Sequence, residues 1–156
     1  MVSSGSHGRI AALDIGEVRT GVAISDTGGS LARPLEVVSS EQLTEYLRAL
    51  LMEEAVTEVV VGVPKTLAGE VGFQAKQVLA KLDVLRNIFP SVRFVEWDER
   101  LTTRLARSLR SGSRSGDLKG RRKRGAKERF DHLAAAGMLQ EYLDRRGALE
   151  AIRQGS

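Results

Sequence analysis

Apolar residues run almost unbroken from Ile10 to Ile15, give way to a polar turn between Gly16 and Gly21, and resume from Val22 to Ser25. That pattern predicts strand, turn, strand, with one carboxylate, Asp14, at the inner end of the hairpin. Asp26, Gly28, Gly29 and Ser30 mark a second turn, and Leu35 to Val38, after Pro34, a third strand. Ser40 reads as a helix N-cap, and Leu43, Leu47, Leu50 and Leu51 recur at helical spacing, so a helix is expected from about Glu41 to Ala55. Glu58 to Val63 is a β-branched run with no solvated face, as in a strand covered on both sides, and Pro64 ends it. Phe73 to Ile88 has the apolar spacing of a second helix, closed by Pro90. Val92 to Trp97 follows as a strand, Leu101 to Leu109 as a third helix, and a last helix is expected from near Asp131 to Arg145 and Arg146.

Three hairpin-linked strands followed by alternating helices and strands predict an α/β fold. The expectation is a mixed five-stranded sheet, three antiparallel N-terminal strands and then two in α/β units, with helices on both faces. Sites in such sheets gather at strand ends.

The chain has 156 residues, a length that predicts one domain with a substantial core. That domain is expected over 9–146. Met1 to Gly8 (MVSSGSHG) reads as a disordered or vector-derived tail, and 147–156 as a flexible C-terminal tail. No apolar run approaches the roughly 18 residues of a membrane span and no signal-peptide core precedes the first strand. A soluble, cytoplasmic protein without a membrane partner is expected. There is no cysteine, which excludes disulfides, thiolate metal sites and cysteine nucleophiles.

The net charge of +4 conceals an uneven distribution. From Arg100 to Arg129 there are twelve Lys and Arg against only Asp117 and Glu128, a local charge of +10 that leaves −6 for the rest. Within it, 111–129 forms a Gly- and Ser-rich basic arm that cannot bury a core face and is expected to be mobile. An acidic body with one dense basic arm fits a partner rich in phosphates, although charge runs also occur as plain solvated loops. The seven aromatic residues leave the arm empty, so backbone recognition fits better than base stacking there.

Acidic residues stand at three transitions between elements: Asp14 in the first strand, Asp98 and Glu99 after the last strand, and Asp131 at the start of the final helix. A turn or a cap could explain the last two. Asp14 inside an apolar run is harder to explain that way, a local pair with Arg19 being the best structural alternative. Converging carboxylates without Cys suit a hard cation such as Mg²⁺ or Mn²⁺, and a pair of such ions is the usual device for in-line phosphodiester hydrolysis. The loop from Gly62 to Gly69 is no P-loop, since no Gly precedes Lys65 and Pro64 lacks an amide. His132 reads as a dipole-facing or solvated residue.

The stretch Asp14-Ile-Gly16-Glu-Val-Arg19-Thr-Gly21-Val-Ala23-Ile-Ser25-Asp26 resembles the opening DxGxxRxGxAxSD signature of the YqgF/RuvX family, relatives of the RuvC Holliday-junction resolvases with an RNase H-like fold. The resemblance recurs in Val60-Val-Gly62-Val-Pro64, in Asp98-Glu99-Arg100-Leu101-Thr102-Thr103, and in Asp131-His-Leu-Ala134-Ala135 with Leu139-Gln140-Glu-Tyr142-Leu143. It implies a metal-dependent nuclease that processes the 5′ end of precursor 16S rRNA in ribosome biogenesis. A Holliday junction resolvase acting on branched DNA is the alternative, and a non-catalytic nucleic-acid-binding factor a third reading. Carried over by position, Asp14, Glu99 and Asp131 would be the catalytic, metal-binding triad for one or two Mg²⁺ or Mn²⁺, with Asp98 as runner-up to Glu99. Arg19, Lys65, Arg100, Arg104, Lys119, Arg121, Arg122, Lys123, Arg124 and Lys127 would bind phosphates. Structured RNA and ribosomal precursor particles are the implied partners, for a monomer or homodimer. Lys65-Thr66-Leu67-Ala68-Gly69 departs from the family's usual polar stretch after the Pro.

Overall fold

The computed structural model describes residues 8–64, 72–98 and 123–155, with the backbone alone for 123–132. Arg9–Ile15 forms β1, and its side chains alternate between two buried faces, which makes it the centre of a sheet. β2 (Arg19–Ser25) pairs antiparallel with β1, and β3 (Ala32–Ser39) antiparallel with β2. After α1 (Leu43–Glu53) the chain returns as β4 (Val56–Val63), parallel to β1. After α2 (Phe73–Ile88) it adds β5 (Arg93–Asp98), parallel to β4. The strand order is β3-β2-β1-β4-β5, the mixed five-stranded sheet expected. β3 is half-exposed along most of its length and holds Pro34, as suits an edge.

One face of the sheet buries Ala11, Leu13, Val22, Ile24, Val59 and Val61 against Leu43, Leu47 and Leu50 of α1 and Ala75, Val78, Leu82 and Leu85 of α2. The other buries Ile10, Ala12, Ala23, Val60 and Trp97 against Ala135, Met138, Leu139 and Leu143 of a long final helix, α3 (Lys123–Gln154). Ala12 and Ala23 are small, so a helix can lie close over β1 and β2. Polar ties fix its register. The Gln140 amide donates to the Ser30 carbonyl and accepts from the Ala32 N–H, both at 2.9 Å. Lower on the helix, Tyr142 donates to the buried Glu58 carboxylate, which also receives Arg146 at 3.2 Å. Burial and that hydrogen bond push the Tyr142 phenol up to about 12.

Several element ends differ from the sequence reading. α1 starts at Leu43 and its N-cap is Gln42, because the Ser40 hydroxyl donates instead to the Glu17 carbonyl across the sheet edge. β5 includes Asp98, which therefore ends the strand and does not follow it. α3 extends in both directions. Asp131 lies about two turns inside it and does not open it, so a helix-capping role for Asp131 is excluded, and His132 is not in a first turn. Lys123 to Arg129, expected within the mobile arm, have helical backbone, and 147–154 continue the helix. Lys, Arg, Glu and Ala are strong helix formers, and once a nucleus is packed on the sheet they extend it cheaply. The helix expected over 101–109 and most of the basic arm lie outside the described residues. Among the described residues no helix is long and apolar enough to cross a membrane.

Candidate functional site

The parallel strands β1, β4 and β5 end at one edge of the sheet, in the register Leu13 beside Val61 and Val63 beside Asp98. Asp14, the last residue but one of β1, is half-buried at that edge. It belongs to the row of Ile10 and Ala12 and so leaves the sheet on the α3 side. Directly opposite it on β2 is Gly21. On β4 the ladder reaches Gly62 one step beyond the Leu13–Val61 pair. The Asp14 carboxylate is thus flanked on its own face by two residues without side chains.

The turn after Asp14 is tight. The Gly16 N–H donates to the Arg19 carbonyl at 2.8 Å, and a Cβ on Gly16 would meet that oxygen at 2.7 Å. Arg19 thereby enters β2 at the same edge, half-buried. The next turn is held by Asp26, whose carboxylate accepts the Ser30 and Leu31 N–H groups at 2.7 and 3.1 Å. The Ser30 bond most of all, and then the Leu31 bond, hold its carboxyl below the usual range. Asp26 is an acid consumed by its turn, far from the edge that carries Asp14.

Asp98 reaches the same edge but belongs to the row of Phe94 and Glu96. Phe94 packs in the α1/α2 core and Glu96 pairs with Arg86 of α2 at 3.7 Å. Asp14 and Asp98 therefore share an edge and leave the sheet from opposite faces. In α3, Asp131 precedes the buried Ala135 by one turn, and Lys123, Arg124 and Lys127 lie in the first turns of the helix backbone. Glu99, Lys65, Arg100, Arg104, Lys119, Arg121 and Arg122 lie outside the described residues. No group of three acidic or imidazole side chains that could hold a metal gathers among the described residues.

The family description "RuvX: Holliday junction resolvase" matches residues 8–145. This chain belongs to the RuvX family. A relative from Rubrobacter xylanophilus with the name "Putative pre-16S rRNA nuclease" is 59% identical over 138 residues, 88% of this chain and 94% of the relative. A relative of the same name from Desulforudis audaxviator is 42% identical over 141 residues, covering 88% of this chain and 95% of its own. Among solved structures, Thermus thermophilus RuvC in complex with a Holliday junction substrate aligns with a TM-score of 0.53 at 17% identity, over 90% of this chain and 96% of that one. The likeness is one of fold, and it bears out the RNase H-like architecture expected for a RuvX chain.

Two polar residues at this edge escaped the sequence reading. Ser40 was assigned to a cap, and Lys81 of α2 was passed over between apolar neighbours. Lys81 is half-buried on the flank of the apolar stripe that Ala75, Val78, Leu82 and Leu85 form, a place a lysine commonly takes, so the sequence carried no signal that singled it out.

Proposed function

We propose that this RuvX-family protein is a nuclease that hydrolyses phosphodiester bonds, acting in the cytoplasm on precursor 16S rRNA through a single domain spanning 9–146. The observation that carries the reading is the Asp14 carboxylate, half-buried at the carboxyl edge of the parallel strands between Gly21 and Gly62. A carboxylate half-buried there is costly unless a cation compensates it, and neither glycine has a side chain that would stand between Asp14 and one.

The chemistry of the donors fits a hard divalent ion, Mg²⁺ or Mn²⁺: carboxylate oxygens, no thiolate anywhere in the chain and only two His. Asp14, Glu99 and Asp131 would hold one or two such ions. Asp98 belongs to the row of Phe94, on the α1/α2 side of the sheet and away from Asp14, and of the two acids we therefore favour Glu99 as the partner of Asp14. When bound, the ion supplies charge neutralisation at the phosphate and activation of water. The residues of the chain do the rest. Asp14 sets one anchoring point on a rigid strand, Arg19 brings a cation to the same edge, and Lys65, Arg100, Arg104 and the basic residues from Lys119 to Lys127 would hold the nucleic-acid backbone.

The test compares wild type with Asp14→Asn on precursor rRNA, single-stranded RNA and a four-way DNA junction, each with Mn²⁺, Mg²⁺ or EDTA. Cleavage of precursor rRNA that requires a divalent ion and is lost in Asp14→Asn, with binding retained, is expected. Full activity of Asp14→Asn overturns the assignment. The family description favours one second reading, branched-DNA resolution; it predicts symmetric cuts in the junction and a two-fold dimer.

A further inference from the structure

We propose that Lys81 is a positioning residue that sets the geometry of the β1–β2 turn, and through it the placement of Asp14 and Arg19; this rests on the nuclease reading above. The turn is Gly16-Glu17-Val18, exposed and at the tip of a hairpin, the kind of segment that is ordinarily loose. Here every carbonyl in it is held. The Lys81 ammonium donates to the Gly16 carbonyl at 3.2 Å and to the Ser40 hydroxyl at 3.4 Å. That hydroxyl donates to the Glu17 carbonyl at 3.1 Å, and the Ser40 N–H donates to the Val18 carbonyl at 2.9 Å. The Arg19 carbonyl accepts from Gly16 N–H and closes the set.

Lys81 stands half-buried on the flank of the stripe of α2 that packs on the sheet, beside the buried Leu82 and between Val78 and Leu85. A lysine there can lay its methylene stem along the core and deliver its ammonium to the sheet edge. Ser40 stands where a cap was expected but caps nothing; it spends its hydroxyl on the turn. Asp14 precedes this turn directly and Arg19 leaves it directly. A small relaxation of the turn therefore displaces two proposed site residues together, and misplacement of about 1 Å in such a site costs up to about 100-fold in rate.

The experiment uses the full chain as wild type, Lys81→Met, Lys81→Arg and Ser40→Ala. It reads amide hydrogen exchange at Gly16 to Arg19, the affinity for Mn²⁺ alone, and kcat and KM on precursor rRNA. For Lys81→Met, exchange in the turn is expected to rise about tenfold while the core amides hold. Mn²⁺ affinity and kcat should each fall about tenfold with KM within about twofold, and Lys81→Arg should recover most of the loss. Ser40→Ala, which leaves α2 packing untouched, should shift the same readouts in the same direction, and it decides the matter if Lys81→Met fails to fold. Unchanged turn exchange, or faster exchange with unchanged Mn²⁺ affinity and kcat, overturns the proposal. If wild type cleaves nothing with any ion, the nuclease reading fails, while exchange and Mn²⁺ affinity still judge Lys81.

Discussion

Glu58 is the one charged side chain buried among the described residues, and it is satisfied by Tyr142 and Arg146 of α3. Removing the phenol leaves a buried carboxylate short of a donor, so Tyr142→Phe should lower stability by about 1–3 kcal/mol in chemical denaturation. The same contact makes an alkaline prediction. The folded phenol ionises near 12 against an ordinary value of 10.0. It therefore contributes stability that is whole below pH 10 and is lost as pH rises through about 12. The chain has two tyrosines, and burial raises the other, Tyr46, as well. Phenolate absorbance should accordingly appear late in the folded protein and near pH 10 in denaturant. At this scale legibility followed locality. Asp14 could be found because a charge inside an apolar run is visible in its own neighbourhood. Glu58 read as the start of a covered strand, because its partners lie more than 80 residues away. The face that Asp98 takes was not legible in the sequence, because it depends on where β5 ends and on which core Phe94 joins.

At the scale of elements, α2 was read to the residue and α3 was not. The apolar spacing from Phe73 to Ile88 is bounded by Gly72 and Phe89–Pro90, so both ends carry local signals. The start of α3 has none, and its end, marked by Arg153 and Gly155, lies well past the last residue that packs on the sheet. Among its described side chains the packing on the sheet runs from Ala135 to Leu143, and the residues after Arg146 are helical by propensity and by continuity, aided by an Arg146–Glu150 pair at 3.6 Å. Two stability predictions separate these parts. Leu139 is fully buried between α3 and the sheet, so Leu139→Ala should cost about 2–5 kcal/mol. Truncation after Arg146 removes residues that are exposed throughout and should cost under about 1 kcal/mol, with a loss of helical circular dichroism but little change in the unfolding midpoint.

Over the whole molecule, charge is segregated by position in the chain, +10 between Arg100 and Arg129 and −6 elsewhere. If that basic span holds phosphates, binding to RNA must fall steeply with salt. Replacing Lys123, Arg124 and Lys127 together by Ala should reduce the slope of log affinity against log salt by roughly 2 to 3, measured by fluorescence anisotropy, while Asp14→Asn leaves that slope unchanged. The basic residues were plain in the sequence, but the helix that carries the last four of that span was not. Its continuity has a metric consequence. Gln140, Tyr142 and Arg146 lock α3 against sliding along the sheet, since a shift of one residue would strand Glu58 without its donors. The rise from Asp131 to Lys123 is then a fixed length of roughly 12 Å, three to four steps of a stacked nucleotide strand. Inserting one residue between Lys123 and Asp131 would move Lys123 along the axis by about 1.5 Å and turn it by about 100°, so the salt dependence of RNA binding should respond to the insertion while the unfolding midpoint does not.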